Sequence, residues 1–445
     1  MKLHYLHSSS VIIENNGVKI LCDPWLASSA HYGSWEIYPP YDFNPKKFKD
    51  IDYIYISHIH HDHLHHPTLK LLDKKVPILI HNYSEKFVKN NLISLGFQVM
   101  ELENNKRIHL KNNTYINIIS ADNCNPEICG KLLGCSNIES NYKTTAIDTM
   151  AFFDNGLETI LNTNDCPYEL IQLFLPSILK SYKKIDLMLL GYTGAGPFPQ
   201  CFVMTEKEKL NAIKIKKLHY FQNALKLIEI VKPKFFFPFA GTYTLAGKFH
   251  TLNSYRSEPE IEEAAQYLQE NVYNPNLKCI MLNQNEYLDI SSSMTSKKYI
   301  SIDQKKKQDY ITKILSNKKY DYEYDSEPTE KEIIDLAKQA YLRFERTLKK
   351  IQYNSDTVIL IKFLENMFIK LYCNGKGINF ITKQEVDDES KYVKIFLDSR
   401  LLKRILQGPK QAHWNNAEGG SHLKFDRFPN IYERGLYHAL SYFHK

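Results

Sequence analysis

The chain has 445 residues, a length that allows two domains, and its composition of 43% hydrophobic and 24% charged residues is that of a globular protein. The net charge of +7 suits an anionic or polar small-molecule substrate, and no clustered basic stripe indicates nucleic-acid binding. No apolar run reaches the roughly 18–20 residues of a membrane span, and residues 1–10 lack the apolar core of a signal peptide. Together with eight scattered cysteines, this predicts a cytoplasmic protein with reduced thiols.

Short strand-like runs and helices alternate through the first two thirds of the chain. The run SVIIENNGVKILC, residues 10–22, predicts a β-hairpin around an Asn-Asn-Gly turn. A long helix should begin at Thr205, which forms a capping box with Glu208, and should stop before Pro233. The runs DYIYIS, TYINIIS, TILNTND, DLMLLGY and KFFFPFA are short and rich in β-branched or aromatic residues, which is typical of buried strands.

The composition changes after about residue 290. We interpret residues 1–290 as one domain and the polar, charged residues 291–330 as a linker or excursion. Residues 331–445 contain a long helix followed by further strands and helices, which predicts a smaller α+β domain. The oligomeric state stays open at this point.

Six of the seventeen histidines lie within residues 58–66, directly after the strand-like run YIYIS. The order is His58, His60, Asp62 and His63. Two histidines two positions apart at a strand end can present imidazoles to one metal ion, and the following Asp-His pair can hold a second. The pattern therefore predicts a two-metal site, and the alternative is a surface histidine cluster without metal.

This H-x-H-x-D-H motif after a strand, preceded by KILCDPWL near the N-terminus, resembles the metallo-β-lactamase fold. That resemblance implies a four-layer αββα sandwich with its metals at one edge. It also implies a third histidine, a bridging aspartate and a late histidine. Asp165, at the end of LNTND, matches the bridging carboxylate, and His250 matches the late histidine. Asp62 and Asp165 are the implied catalytic carboxylates.

The third ligand position departs from the family pattern. Asp122 stands in ADNCN, where a histidine would be expected. If Asp122 binds metal, the site has more oxygen donors than a di-zinc hydrolase, and harder ligands favour iron or manganese. We therefore expect two divalent ions, with iron favoured and zinc or manganese as alternatives. The other interpretation of Asp122 is a turn-forming residue.

The glycine-rich residues 191–202 and the C-terminal segment from residue 413 resemble CMP-N-acetylneuraminic acid hydroxylase and its bacterial relatives. The resemblance implies a di-iron oxidase or hydroxylase acting on a sugar-like or amino-acid-like substrate, with or without a linked nucleotide. That family carries a Rieske iron–sulfur domain, whose C-x-H and C-x-x-H pairs do not occur in this sequence. Electrons would then come from a separate protein or from the substrate.

Other functions fit the same ligands. One is a hydrolase, a phosphodiesterase or lactonase, in which a metal-bridging hydroxide attacks the substrate and Asp62 or Asp165 takes the proton. Another is a structural or vestigial metal site. His31, Tyr32 and Trp35 lie in an aromatic, turn-rich segment and are candidate substrate contacts, or else they pack within their loop. Residues 413–422 would either reach the metal cleft or a neighbouring subunit, or pin the C-terminal domain to the sandwich.

Overall fold

The computed structural model describes residues 1–121, 148–274, 276–386 and 389–445. The predicted ligand Asp122 lies outside these residues. No helix in the described part of the chain is both long enough and apolar enough to cross a membrane.

The predicted hairpin is present near the start of the N-terminal unit, and its turn at Asn16 and Gly17 has positive φ angles of 48° and 77°, as the mirror-image hairpin turns require.

Strands β4 and β14 of this unit form a short two-stranded sheet. The strands of the unit are β1 (Lys2–His7), β2 (Ser10–Asn15), β3 (Val18–Cys22), β4 (Trp35–Glu36), β5 (Tyr53–Tyr55), β6 (Ile78–His81), β7 (Val99–Leu102), β8 (Ile108–His109), β9 (Tyr115–Ser120), β10 (Thr149–Asp154), β11 (Thr159–Asn162), β12 (Leu187–Gly191), β13 (Phe235–Phe239), β14 (Thr244–Leu245), β15 (Lys278–Cys279), β16 (Glu286–Asp289) and β17 (Met294–Thr295).

Two sheets of this unit pack face to face. Within the described residues, one has the strand order β17-β16-β1-β2-β3-β5-β6-β7 and the other β15-β13-β12-β11-β10-β9-β8. Their facing side chains are fully buried in one hydrophobic core, for example Leu3 and Ile13 from the first sheet and Phe152 and Leu189 from the second. Alternate residues of each strand point into this core because successive side chains of a strand face opposite sides.

Helices cover the outer faces of both sheets. The helices of the N-terminal part of the chain are α1 (His66–Leu71), α2 (Phe87–Ser94), α3 (Tyr168–Ile171), α4 (Leu175–Leu179), α5 (Glu206–Val231), α6 (Ile261–Asn271) and α7 (Gln304–Lys313). Leu69 of α1 and Leu92 of α2 pack on the first sheet, and Phe221 of α5 and Leu268 of α6 pack on the second. The α5 capping box is present as predicted. The four-layer αββα sandwich expected from the resemblance is confirmed.

One edge of the sandwich collects the ends of strands from both sheets. Strands β3, β5 and β6 are parallel, as are β11, β12 and β13, whereas β10 runs antiparallel to β11. The start of β10 therefore lies beside the end of β11, where the Asn164 side chain donates to the Thr149 carbonyl at 3.0 Å. The Thr149 hydroxyl donates to the Ser57 carbonyl at 2.8 Å, which ties this sheet to the histidine loop after β5.

The C-terminal unit is a mixed sheet with helices packed on one face, which confirms the predicted smaller α+β domain. Its strand order is β20-β19-β18-β21-β22, and α8, α9 and α11 supply buried side chains to its core. Its elements are α8 (Glu330–Ile351), β18 (Val358–Leu364), β19 (Met367–Tyr372), β20 (Ile378–Thr382), β21 (Tyr392–Phe396), α9 (Ser399–Gln407), α10 (Trp414–Gly419), β22 (Lys424–Phe428) and α11 (Arg434–Ser441).

The segment 291–330, which the sequence suggests as a linker or excursion, has ordered structure. It contains β17 and α7, and Tyr320 and Tyr322 are fully buried in the core that includes the C-terminal sheet. The two units also share backbone hydrogen bonds, because Val203 N–H donates to the Phe425 carbonyl at 2.8 Å and Phe425 N–H donates to the Cys201 carbonyl at 2.8 Å. The C-terminal unit is therefore joined to the sandwich by hydrogen bonds as well as by packing.

Candidate metal centre

Two groups of potential ligand atoms converge at the edge of the sandwich described above. The atoms offered by His58, His60 and Asp165 lie within 4.8 Å of one another, and so do those offered by Asp62, His63 and Asp165. Donor atoms that share one ion at about 2.1 Å lie up to about 4.2 Å apart, so both groups are close to the spacing that an ion requires. Asp165 belongs to both groups, which suits a carboxylate between two neighbouring ions.

The shortest distances run between the rings and the carboxylates. His58 Nε2 lies 2.8 Å from His60 Nδ1 and 3.8 Å from Asp165 Oδ2. His63 Nε2 lies 3.4 Å from Asp165 Oδ2 and 3.5 Å from Asp62 Oδ2. All four motif residues therefore direct a side-chain atom toward the shared carboxylate or its neighbours.

Asp148 is a candidate ligand that the sequence interpretation missed. Its Oδ1 lies 3.5 Å from His58 Nε2. It directly precedes β10, whose start lies beside the end of β11 and hence beside Asp165. Asp148 thus brings a carboxylate near the first group of ligand atoms, whereas the placement of Asp122 lies outside the described residues. The sequence feature that could have indicated Asp148 is the position of this carboxylate at the start of the strand that pairs with the run TILN.

Asp23 and Ser57 determine which nitrogen of two histidines faces the site. The Ser57 N–H donates to Asp23 Oδ1 at 2.7 Å, and the Ser57 hydroxyl donates to Asp23 Oδ2 at 2.7 Å. Because that hydroxyl has one hydrogen, its 2.9 Å contact with His58 Nδ1 must be an N–H donated by the ring. His63 Nδ1 donates to Asp23 Oδ2 at 2.9 Å. Both rings therefore carry a proton on Nδ1 and turn Nε2 toward the site.

The second group of ligand atoms, from Asp62, His63 and Asp165, has the chemistry that a metal ion requires. His63 is fully buried, and its Nε2 has no hydrogen-bond partner among the described residues. A buried polar atom without a partner costs about 1–3 kcal/mol, so native proteins rarely leave one. An ion held by His63, Asp62 and Asp165 would satisfy this nitrogen and neutralise both carboxylates.

Burial and neighbouring charges shift the pKa values of the ligand groups. Burial, aided by the rings of His63 and His60, lowers the pKa of His58 well below its usual range, which favours the neutral imidazole that binds metals. Burial also lowers the pKa of His63, but nearby carboxylates, with Asp165 foremost, outweigh it and raise the pKa well above its usual range. Burial and the charge of Asp165 raise the pKa of Asp148 to about 8. The metal-free site therefore holds protons that binding ions would displace.

His250, predicted as the late histidine ligand, does not join either group of converging atoms. It lies in the 3-10 turn Gly247–Tyr255, and its Nδ1 contacts the Gly247 carbonyl at 3.0 Å. The turn is part of the wall between the sandwich and the C-terminal unit. A metal role for His250 remains a prediction from the resemblance.

The three predicted substrate contacts have different surroundings. His31 Nε2 lies 3.4 Å from Asp62 Oδ1, which places His31 beside the second group. The Trp35 ring stacks on Tyr243 at 3.5 Å between centroids. The Tyr32 hydroxyl accepts the backbone N–H of His413 at 2.8 Å. All three side chains are buried, so Tyr32 and Trp35 already have packing or hydrogen-bonding partners within the chain.

Residues 2–124 match the family model described as "Beta-lactamase superfamily domain". The matched region contains β1 to β9, Asp23 and the complete histidine motif. This part of the N-terminal unit is thus similar to a β-lactamase superfamily domain.

Comparisons with individual proteins extend over more of the chain. The cytidine monophosphate-N-acetylneuraminic acid hydroxylase of Danio rerio is 27% identical over 285 residues, which are 60% of this chain and 42% of that protein. The chain thus aligns with less than half of the length of that relative. Among solved structures, CmlA, a diiron beta-hydroxylase from Streptomyces venezuelae, is 14% identical with a TM-score of 0.41 over 64% of this chain and 53% of its own. An isothiocyanate hydrolase from Delia radicum gut bacteria is 15% identical with a TM-score of 0.42 over 65% of this chain and 99% of its own.

The C-terminal unit contacts the edge of the sandwich that carries the candidate metal ligands, through residues 413–422. The Asn416 carbonyl lies 3.1 Å from His31 Nδ1, and its side-chain amide lies 2.9 Å from His61 Nε2. His422 Nε2 donates to the His31 carbonyl at 2.8 Å. These contacts bring residues 413–422 beside the candidate ligands and at the same time join the C-terminal unit to the sandwich, so both roles that the sequence leaves open stay compatible with the structure.

These contacts hold a strained segment of backbone. His31 and Tyr32 are consecutive non-glycine residues with positive φ angles of 47° and 58°. Such residues cost about 1–3 kcal/mol each and persist only where surrounding contacts enforce them. The side chain of His31 lies between Asp62 and Asn416, both of which present oxygen atoms to its ring nitrogens. The orientation of His31 at the metal edge therefore depends on the C-terminal unit.

Proposed function

We propose that this protein is a binuclear metal-dependent oxidoreductase, an oxidase or hydroxylase, that acts on a small polar substrate of the sugar or amino-acid type. The observation that carries the proposal is the composition of the two ligand groups that share Asp165. Together with Asp148 they offer three histidines and three carboxylates. A set this rich in oxygen donors favours iron or manganese over zinc, and two histidines with a carboxylate are the usual ligands of non-haem iron.

The proposed ligands divide into two positions. His58, His60, Asp148 and Asp165 would hold the first ion, and Asp165 with the two residues of the Asp-His pair at 62–63 would hold the second. Iron bound there would supply activation of dioxygen. The protein holds the rings of the ligands in fixed tautomers through Asp23 and Ser57, so little reorganisation is needed when the ions bind.

The carboxylate side of the site is the more open one. The side chains of Asp148 and Asp165 keep 23% and 32% of their surface exposed, whereas those of His58 and His63 are 1% and 0% exposed. We propose that the substrate approaches from this side and that the histidine side excludes water. A proton released by the substrate would then meet a carboxylate oxygen of Asp165 or of Asp62, the two proposed catalytic residues.

Similarity to a hydroxylase supports oxidation over other reactions. The Danio rerio relative is named as a hydroxylase and aligns with 60% of this chain. We propose that the electrons for the oxidation come from a separate protein or from the substrate.

A hydrolase, a phosphodiesterase or lactonase using zinc or manganese, is the second candidate, and one observation favours it. Burial alone would raise the pKa of Asp62, but His63 and His31 lower it well below its usual range. Asp62 is thus held as a carboxylate that could accept the proton of an attacking water beside the metal ligands. The same shared Asp165 would serve either reaction.

Metal identity separates the two candidates. The full chain would be purified without added metal, and its metal content measured by elemental analysis, with visible spectra under nitrogen and after exposure to air. We expect about two iron ions per chain and an absorption band that changes when air is admitted. Two tightly held zinc ions with activity on diester or lactone probes would favour the hydrolase. A wild-type chain that takes up no metal, even after incubation with ferrous or zinc salts, would contradict both.

A further inference from the structure

A second cavity, of about 730 Å³, lies between the sandwich and the C-terminal unit. Its walls come from the start of α5, the turn Gly247–Tyr255, β18, β22 and the start of α9. None of the proposed metal ligands lines it. The volume falls within the range of about 300–1,000 Å³ that is usual for small-molecule sites.

Four lysines from four separate elements line this cavity. They are Lys209 of α5, Lys248 of the turn, Lys362 of β18 and Lys424 of β22. The carboxylates on the same wall are those of Glu365 and Asp398, which leaves an excess of two positive charges. Because the lysines are far apart in the sequence, the docking of the two units creates this concentration of charge.

One of the two carboxylates on the wall, that of Asp398, is already paired. Asp398 accepts two hydrogen bonds from the Arg400 guanidinium, at 2.9 and 2.8 Å. Lys248 lies 3.4 Å from Asp398 and 3.0 Å from Glu323. Among the described residues, the other three lysines of the wall form no ion pair with a carboxylate.

Two of these ammonium groups, those of Lys209 and Lys424, lie close enough to repel each other. Burial lowers the pKa of the Lys209 ammonium, and the charge of Lys424 lowers it further. The Lys209 ammonium donates to the Gln200 carbonyl at 3.2 Å, which leaves further N–H groups for a ligand. Like charges that converge on a cavity raise the free energy of the folded chain, and an anion between them would offset that cost.

Apolar and aromatic side chains form another part of the wall. Phe249, Phe363 and Phe396 line the cavity together with Leu252. Gln200 also lines the cavity. The cavity thus combines cations at its rim with a surface that suits a ring or another apolar body.

We propose that this cavity binds a small molecule that carries a phosphate or phosphonate group on an apolar or aromatic body. The lysines at 209, 362 and 424 would contact the dianionic group, and the phenylalanine rings would contact the body. Lysine binds such oxygens as a mobile point charge, which suits three separate side chains around one group. The inference does not depend on which metals the other site holds.

Phenylphosphonate is a suitable probe because it combines both features and resists hydrolysis. Its binding to the full chain would be measured by isothermal titration calorimetry, beside inorganic phosphate and phenol. We expect phenylphosphonate to bind more tightly than either half-probe. The double variant Lys362→Gln/Lys424→Gln should weaken this binding by about tenfold or more, because each lost contact is a charge-assisted hydrogen bond.

Matched control variants show whether a loss of binding comes from the lysines of this cavity. Lys214→Gln changes an exposed lysine on α5 away from the cavity and should leave binding unchanged. Lys362→Arg/Lys424→Arg keeps both charges and should retain most of the affinity. If the double glutamine variant does not fold, the single change of the exposed Lys424 tests the same contact.

Three results would overturn the proposal. The first is equal binding of phenylphosphonate by the wild type and by the folded glutamine variants, and the second is no binding by the wild type at millimolar concentration. The third is binding that disappears when a chelator strips the metals, since the anion would then be bound at the metal centre. If the chain bound no metal but still bound phenylphosphonate, the proposed function would be contradicted and this inference would be supported.

Discussion

The two halves of the metal centre differ in what holds them. The first half takes His58 from the loop after β5 and Asp148 and Asp165 from the edge of the facing sheet, so the sandwich alone assembles it. The second half depends on Asp62, which contacts His31, and His31 is in turn held by residues 413–422. The difference teaches that the sandwich alone assembles one of the proposed metal positions, whereas its neighbour also contacts the docked C-terminal unit through His31.

The strongest test of this comparison removes the residue that both halves share. Asp165→Asn should abolish stable binding of both ions, because the substitution takes one charged ligand from each group. Elemental analysis after gel filtration should fall from about two ions per chain to nearly none. Asp50→Asn, an exposed change paired only with Lys19, is the control and should keep both ions. Retention of two ions by Asp165→Asn would refute the shared-ligand geometry.

The next test changes the hydrogen bonds by which Asp23 orients the proposed ligand histidines. In Asp23→Asn the amide NH2 would replace either Oδ1, which now accepts the Ser57 N–H, or Oδ2, which now accepts from both the Ser57 hydroxyl and His63 Nδ1. Either way a donor would face a donor, and in the second arrangement the His63 ring would lose its fixed tautomer. Losses of this kind lower metal affinity by about 10- to 100-fold. Competition with a chromophoric chelator should show the larger loss at the second ion. Unchanged affinity at both positions would show that Asp23 does not orient the ligands.

A pH series distinguishes the halves by the protons they hold. In the metal-free chain the pKa of Asp148 is raised to about 8, so this carboxyl is protonated at neutral pH and must ionise to bind an ion. Affinity at the first position should rise by about tenfold per pH unit until about pH 8 and then level off. Chelator titrations between pH 6 and 9 would measure this. A flat profile would contradict the assignment of Asp148 as a ligand.

The same protonation has a consequence for stability. Because the folded pKa of Asp148 lies above the unfolded value of 3.8, protonation stabilises the folded chain below pH 4, and this contribution is lost as the pH rises through about 8. The Asp148→Asn variant lacks the titration. With chelator present, the melting temperature of the wild type should therefore fall relative to that of the variant between pH 5 and 9.

The smallest expected effect comes from the contact that docks the C-terminal unit. Tyr32→Phe removes the acceptor of the His413 N–H and should cost about 1 kcal/mol. The second ion should then bind about fivefold more weakly, and the first should be unaffected. Stepwise metal titration would resolve the two, with Tyr324→Phe, an exposed tyrosine, as control. Equal weakening at both positions would mean that the halves are not held separately.

Much of this architecture was predictable because local patterns specify it. The Asn16-Gly17 turn, the capping box of α5 and the four-layer fold follow from residues adjacent in the sequence or from the histidine motif. The site of Asp165 after β11 was predictable in the same way, since a strand end delivers the next loop to a known edge.

The remaining features depend on long-range pairing. Asp122 and Asp148 both lie in the sequence between the strand-like run TYINIIS and β10, and periodicity alone cannot choose between the two carboxylates. The contact of His31 with Asn416 joins residues 385 positions apart, a distance over which no sequence pattern carries information. Such pairs emerge only when complete domains pack together.

The left-handed turn at His31 and Tyr32 limits how this metal centre could be reused in protein engineering. A designer who transplanted residues 1–295 onto a shorter scaffold would carry the ligands but leave behind the three groups, from Asn416, His422 and His413, that keep this turn in place. The turn would relax to an ordinary backbone conformation and swing its imidazole away from Asp62. A minimal version of the site would therefore have to include a graft of residues 413–422.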